Sequence, residues 1–338
     1  MRIQILGSAA GGRFPQWNCG CGNCRAVRGA GYDDLARKRV AGENGADKDA
    51  YKDDGRTKPD ASGLAFRGRA RTQAQIAVSA DGSAWFLAGA SPDIAFQIES
   101  SSALHPRALR DSPIAGVVLA SADLDHVVGL LLLREFQPFR VYAAPSILRI
   151  LREENSMFAM LNRVEPQVVW TPMNAGRVFP LLSTEGEESG LLCEVHSLAG
   201  RYPKYVKTRG LAEEEATAAL FFTSGSGKRV AYVPAVGSLS DGLLAKIENV
   251  DLLLFDGTFW SDDELQRVQG SSETAHEMGH IPVEESLRLL RNAGTRIGRK
   301  MLIHVNNTNP ILNEASPEHA AVRQAGWEVA EDNWQVEL

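Results

Sequence analysis

Three times in this chain a short apolar run ends in side chains able to hold a metal ion. Val117-Val118-Leu119-Ala120 leads into Ser121-Ala122-Asp123-Leu124-Asp125-His126. Leu252-Leu253-Leu254-Phe255 leads into Asp256-Gly257-Thr258, and Met301-Leu302-Ile303 leads into His304. Runs of this length and composition fit buried strands. Open α/β sheets bind ligands beyond the carboxyl ends of their strands, and acids or histidines placed there are costly unless they bind something. A single polar strand end is ordinary. Three in one chain favour a metal site.

The rest of the sequence fits an α/β protein. Strand-like runs fall at 2–7, 75–80, 84–88, 116–120, 140–144, 191–198, 218–223, 229–233, 250–255 and 301–305. Helical patterns fall at 92–99, 127–135, 146–154, 239–248, 283–292 and 317–325, with Pro92, Pro145 and Pro317 at first turns that tolerate proline. Asp81-Gly82 and Ser224-Gly225-Ser226-Gly227 read as hairpin turns. Each half thus has a hairpin followed by a buried strand, a hint of a duplicated sheet–helix unit. The segment 28–72 differs: 19 of its 45 residues are charged, and it reads as a surface insertion in a single domain spanning 1–338.

Composition narrows the function classes. A formal charge of −6 argues against a bulk nucleic-acid binder. No apolar run approaches the roughly 20 residues of a membrane span, and the apolar start at 1–7 is too short for a signal peptide. The expectation is a cytoplasmic protein. In a reducing compartment structural disulfides are disfavoured, so clustered cysteines point to metal or redox chemistry. Three of the four cysteines crowd into Cys19-Gly20-Cys21-Gly22-Asn23-Cys24. Small turn-forming residues between the thiols let them aim at one point, which suits a closed zinc site with a fourth ligand from elsewhere. A redox pair or three unrelated buried thiols are the weaker alternatives. Cys193, alone in an apolar run, reads as core.

The segment Asp123-Leu124-Asp125-His126-Val127-Val128-Gly129-Leu130 resembles the HxHxDH signature of the metallo-β-lactamase superfamily, with Ser121 and Asp123 in place of the first two histidines. Within that superfamily, Gly7-Ser8-Ala9-Ala10-Gly11-Gly12, Phe14-Pro15-Gln16-Trp17-Asn18-Cys19, Gly257-Thr258-Phe259-Trp260, Glu277-Met278-Gly279-His280 and His304-Val305-Asn306-Asn307-Thr308-Asn309-Pro310 resemble the pyrroloquinoline quinone (PQQ) biosynthesis protein B family. The resemblance spans nearly the whole chain outside the charged insertion. It implies an αββα sandwich with the metal site at one edge between the sheets. Two-metal members add a later histidine and a bridging aspartate. Those positions fall near Gly200 and within Tyr232-Val233-Pro234-Ala235, which supply neither.

What remains is Asp125, His126 and His304. Two histidines and one carboxylate leave open coordination positions and match the ligand set of non-haem iron(II) oxygenases. The resemblance implies an iron- and O₂-dependent hydroxylase acting on the tyrosine ring of the cross-linked Glu–Tyr unit taken from the precursor peptide, with other PQQ-pathway proteins as partners. Asp123 and Asp256 are each either an extra ligand or an acceptor that holds a ligand histidine. His280 and Asp123 are the candidate catalytic residues. For the fourth ligand of the structural zinc the alternatives are Asn307 and His280. An acidic substrate calls for cations. Lys204, Lys207 and Arg209, in a stretch that could overhang the site, and Arg13 and Arg134 are weak candidates. His105, His196, His276 and His319 read as ordinary polar positions. Two other functions compete with the hydroxylase: a carrier of PQQ or its precursor, and a zinc-dependent hydrolase, which Ser121 and Asp123 disfavour.

Overall fold

The computed structural model describes residues 1–29, 66–163, 167–198, 200–293 and 296–338. Two seven-stranded sheets pack face to face. The first contains β1 (Arg2–Gly7), β2 (Gln75–Ser79), β3 (Trp85–Ala88), β4 (Ile114–Val118), β5 (Phe139–Ala143), β6 (Val168–Pro172) and β14 (Gln335–Glu337), in the order β14-β1-β2-β3-β4-β5-β6. The second contains β7 (Val178–Leu182), β8 (Glu188–Leu198), β9 (Thr217–Ser224), β10 (Arg229–Val233), β11 (Leu252–Asp256), β12 (Arg299–Ile303) and β13 (Glu328–Val329), in the order β13-β12-β11-β10-β9-β8-β7. Each sheet joins antiparallel pairs on one side to parallel pairs on the other: β14·β1·β2·β3 then β3·β4·β5·β6, and β7·β8·β9·β10 then β10·β11·β12·β13. The expected duplication is present at the level of topology.

The apolar runs are continuous because these strands are covered on both faces. In β11, Leu252 and Leu254 enter the core between the sheets, while Leu253 and Phe255 face the outer layer. There they meet Leu243 and Ile247 of the helix Asp241–Ile247, Leu290 of the helix Val283–Ala293, and Val322 of the helix Pro317–Gln324. Across the molecule, Leu87, Val117 and Val141 meet Ile94 of the helix Ile94–Glu99 and Ile147 and Ile150 of the helix Pro145–Arg152. The result is the expected αββα layering. Cys193 lies in the central core. No described helix is long and apolar enough to cross a membrane.

The structure corrects three expectations. The helix expected at 127–135 is a short α-helix, Leu124–Val127, followed by a 3₁₀ helix, Val128–Leu133. A Cβ on Gly129 would lie 2.2 Å from the Ser91 carbonyl oxygen, so this turn is pressed against the 90–91 backbone. β6 and β7, absent from the sequence reading, are mostly apolar but only partly buried, and each carries a proline, which in sequence argues against a strand. The charged segment ends earlier than expected. Arg71 and Thr72 are buried, and Phe14 and Arg71 exchange backbone hydrogen bonds. Residues 30–65, the bulk of that expected insertion, lie outside the described residues.

Candidate metal centres and active-site cavity

Loops at the carboxyl ends of three parallel strands build one site. The loop after β4 carries Ser121 and Asp123 and turns into the short helix that presents Asp125 and His126. Asp256 ends β11, and His304 directly follows β12. His304 has φ +61°, a left-handed conformation unusual for a residue with a Cβ. Neighbouring backbone fixes it there: Val305 N–H donates to the Ser8 carbonyl at 2.9 Å, and Gly257 N–H donates to the Ile303 carbonyl at 2.8 Å. Gly11 packs so closely on Asp125 that a Cβ there would lie 3.0 Å from its Oδ2.

Ligand atoms of Asp125, His126 and His304 lie within 4.8 Å of one another. His304 Nε2 is 3.5 Å from Asp125 Oδ2, and His126 Nε2 is 4.0 Å from it. Ligands about 2.0–2.2 Å from a shared ion would stand at comparable separations. His126 Nε2 is buried and has no hydrogen-bond partner. A buried polar atom left so is expensive, and here it points to an ion. Burial opposes ionisation of Asp125, yet positive charge beside it, on His126 and His304 when these are protonated, holds its carboxyl well below the usual range. The donor set therefore fits a divalent cation with open positions.

Asp256, His280 and His304 also bring ligand atoms within 4.8 Å of one another, but the Asp256 carboxylate is already engaged on both oxygens. Its Oδ1 accepts from Thr258 N–H at 3.0 Å and from Thr258 Oγ1 at 2.6 Å. Its Oδ2 accepts from Val236 N–H at 2.9 Å and pairs with His280 Nδ1 at 2.8 Å. Four contacts saturate the carboxylate. Burial works against charge on His280, but Asp256 outweighs it and raises His280 above the ordinary histidine range. The His280 ring stacks on His304 with centroids 5.5 Å apart. His280 thus belongs to this site and not to the cysteine loop.

The site opens into a cavity of about 600 Å³ walled by Asp123, Asp125, His126, His280 and His304. Gly200, Pro234 and Ala235, the positions at which the sequence resemblance expected no further ligand, also line it. The cationic candidates are elsewhere. Arg13 pairs with Asp93 at 3.1 Å, Arg134 with Glu135 at 3.6 Å and Lys204 with Glu273 at 3.6 Å. Lys207 donates to the Lys204 carbonyl, and the Arg209 carbonyl accepts from Arg149. Among the described lining residues the one Lys or Arg is Arg201, exposed and in the same 200–210 stretch, which sequence reasoning passed over. That stretch is anchored beside the site by Tyr205, whose hydroxyl donates to the Ala122 carbonyl at 2.5 Å. His276 lies on the rim and pairs with Glu285 at 3.0 Å.

At the second centre, Cys19, Cys21 and Cys24 bring their sulfurs within 4.8 Å of one another. The Asn307 amide, 1% exposed, faces all three, with Nδ2 at 3.1, 3.6 and 3.5 Å from the respective sulfurs and Oδ1 buried without a partner. An amide can be turned over without moving its neighbours. That places the oxygen among the thiols, where it completes a four-donor set fit for zinc. Burial pushes the Cys24 thiol up to about 12, while hydrogen bonds from Cys21, Cys24 and Asn307 bring Cys19 below its ordinary value despite burial.

A sandwich of two mixed sheets with ligands gathered at its parallel strand ends defines a metallo-β-lactamase-type protein, and residues 84–305 match the beta-lactamase superfamily domain. Over its full length the chain is 38% identical to coenzyme PQQ synthesis protein B of Methylorubrum populi and 39% identical to that of Methylobacterium radiotolerans, in each case covering 100% of both chains. A crystal structure of Zn(2+)-bound PqqB from Methylobacterium extorquens superimposes with a TM-score of 0.80 at 36% identity, again over 100% of both chains. The chain belongs to the coenzyme PQQ synthesis protein B family.

Proposed function

We propose that this chain acts in PQQ biosynthesis as an iron- and O₂-dependent hydroxylase of the tyrosine ring in a Glu–Tyr intermediate. The observation that carries the reading is the trio Asp125, His126 and His304 facing an open cavity, while the neighbouring group Asp256, His280 and His304 shares His304 and has its carboxylate already engaged by Thr258, Val236 and His280. Asp125, His126 and His304 would hold iron(II), which would supply O₂ activation, one oxygen atom entering a ring C–H bond and the other leaving as water with two electrons and two protons from an external reductant.

The residues around the cavity have separable tasks. Arg201 offers a guanidinium to a substrate carboxylate. His280 gives Nδ1–H to Asp256, which leaves Nε2 to accept the phenol proton; Asp256 then stabilises the imidazolium. Loss of that proton makes the ring more electron-rich. Cys19, Cys21, Cys24 and Asn307 hold a structural zinc that pins the loop to the segment after β12. A cytoplasmic location, where thiols stay reduced, and hand-over to other pathway proteins complete the reading.

The test is anaerobic reconstitution with iron(II), then O₂ and the Glu–Tyr substrate, read by mass spectrometry. The expected result is gain of oxygen on the ring, lost in His126→Ala and His304→Ala. No gain with iron fully bound overturns the hydroxylase and favours a carrier. Turnover that persists without O₂ favours a hydrolase.

A further inference from the structure

The two candidate ligand histidines, His126 and His304, carry matching attachments on their Nδ1 atoms. His126 Nδ1 lies 3.0 Å from Ser121 Oγ, and Ser121 Oγ lies 2.8 Å from Asp123 Oδ2. His304 Nδ1 lies 2.9 Å from Thr258 Oγ1, and Thr258 Oγ1 lies 2.6 Å from Asp256 Oδ1. Each chain runs imidazole, hydroxyl, carboxylate. A hydroxyl has a single proton, and an ionised carboxylate can only accept. The proton on Ser121 therefore goes to Asp123, and that on Thr258 goes to Asp256. Both hydroxyl oxygens are left as acceptors, so each histidine must donate from Nδ1. Its Nε2 then carries a lone pair.

We infer that Ser121 and Thr258 are positioning residues: they lock His126 and His304 in the Nδ1–H tautomer and keep the metal site open before any ion arrives. The alternative tautomer shows why this matters. With the proton on Nε2, His304 would donate to the Asp125 carboxylate at Oδ2, 3.5 Å away, and close the site. The lock prevents this. It leaves a nitrogen lone pair facing a carboxylate, which only a cation reconciles. At His126 the same lock accounts for the buried Nε2 without a partner. Ser121 stands where the superfamily signature has its first histidine, so the position has exchanged a ligand for a group that orients one. Asp123 and Asp256 act through the two hydroxyls, at one remove from the ion.

The inference rests on the metal-holding part of the proposed function and not on oxygenation. The test uses the full-length chain with ¹⁵N-labelled histidine, at a pH where the imidazoles are neutral. Long-range ¹H–¹⁵N correlation spectra before and after zinc(II) addition read the tautomers. Competition against a chromophoric chelator reads affinity for zinc(II). Both histidines should be Nδ1–H before metal is added. Thr258→Val should move His304 to the Nε2–H form, and Thr258→Val and Ser121→Ala should each weaken zinc binding about 10- to 100-fold. Thr258→Ser and Ser121→Thr, which keep the hydroxyl, should restore both readouts. An Nε2–H signal from either histidine in the unsubstituted chain overturns the inference whether or not any variant folds. So does unchanged affinity in folded Thr258→Val. Nδ1–H histidines in a protein that inserts no oxygen would uphold the inference and overturn the proposed reaction.

Discussion

At the cysteine loop, three of the four converging side chains come from the six residues 19–24, and Asn307 closes the set against them. At the cavity, Asp125 and His126 meet His304 from a strand end in the other sheet, and each histidine is held through a hydroxyl. In the proposed reading the first centre is closed and fixes structure, while the second keeps positions free for chemistry. Local spacing is enough to assemble thiols, whose flexible loop can adapt around an ion. A site that must hold open positions needs ligands oriented by the rest of the fold. Glu264 connects the two regions. It accepts from Thr308, the neighbour of Asn307, at 2.5 Å and from the Trp260 N–H, two residues beyond Thr258, at 2.6 Å.

The largest expected difference is in stability. Cys24 is fully buried in the layer outside the second sheet. Cys24→Ser should release one zinc per chain and cost about 5 kcal/mol or more, because structural zinc contributes directly to folding. His304→Ala should release the other ion with little loss of melting temperature. Metal stoichiometry and thermal unfolding of the two variants check the contrast; equal destabilisation would erase the distinction between the centres.

Glu264 gives a smaller, pH-dependent effect. Burial raises its carboxyl to about 7, against the hydrogen bonds from Thr308 and Trp260 that lower it. Between about pH 4.5 and 7 the folded chain keeps a proton that the unfolded chain has lost. Stability from this group is therefore fully present below that window and falls as pH rises through it, by roughly 3 kcal/mol. Glu264→Gln should flatten this slope in urea titrations across the window. A slope left unchanged would remove Glu264 as the connection between the centres.

The smallest effect concerns substrate. Arg201→Ala should raise KM about tenfold, equivalent to roughly 1.4 kcal/mol, with kcat nearly unchanged. Equal losses in the Lys204→Ala variant would return the anchoring role to the loop as a whole.

The parts of this structure that were legible in the sequence are those where one residue type has one common explanation. Runs at 250–255 and 301–305 read as buried strands, and the strands there are Leu252–Asp256 and Arg299–Ile303, shifted by a residue or two; the cysteine spacing read as one cluster. Ser121 and Thr258 were not legible as orienting groups, because a hydroxyl after a strand has the same sequence appearance whether it caps a turn or holds an imidazole. Arg201 was hidden among the cations at 204, 207 and 209, and only the path of the chain separates them. Arg71 and Thr72 were assigned to a solvated segment by composition. The structure instead buries Arg71 against Ser8 and the Ala330 carbonyl, and gives Thr72 to Asp332, with Thr72 N–H and Oγ1 at 2.6 and 2.8 Å from its Oδ2.

The left-handed backbone at His304 bears on how this protein responds to selection. A side chain with a Cβ pays about 1–2 kcal/mol for that conformation, and glycine or asparagine adopts it more readily. In metal-free protein, replacing the imidazole also removes a lone pair held against the Asp125 carboxylate. A library randomised at position 304 and ranked only by heat resistance should therefore drift toward glycine or asparagine. The same library ranked by metal retention should return histidine, so thermostability engineering of this fold has to leave that position out of its search.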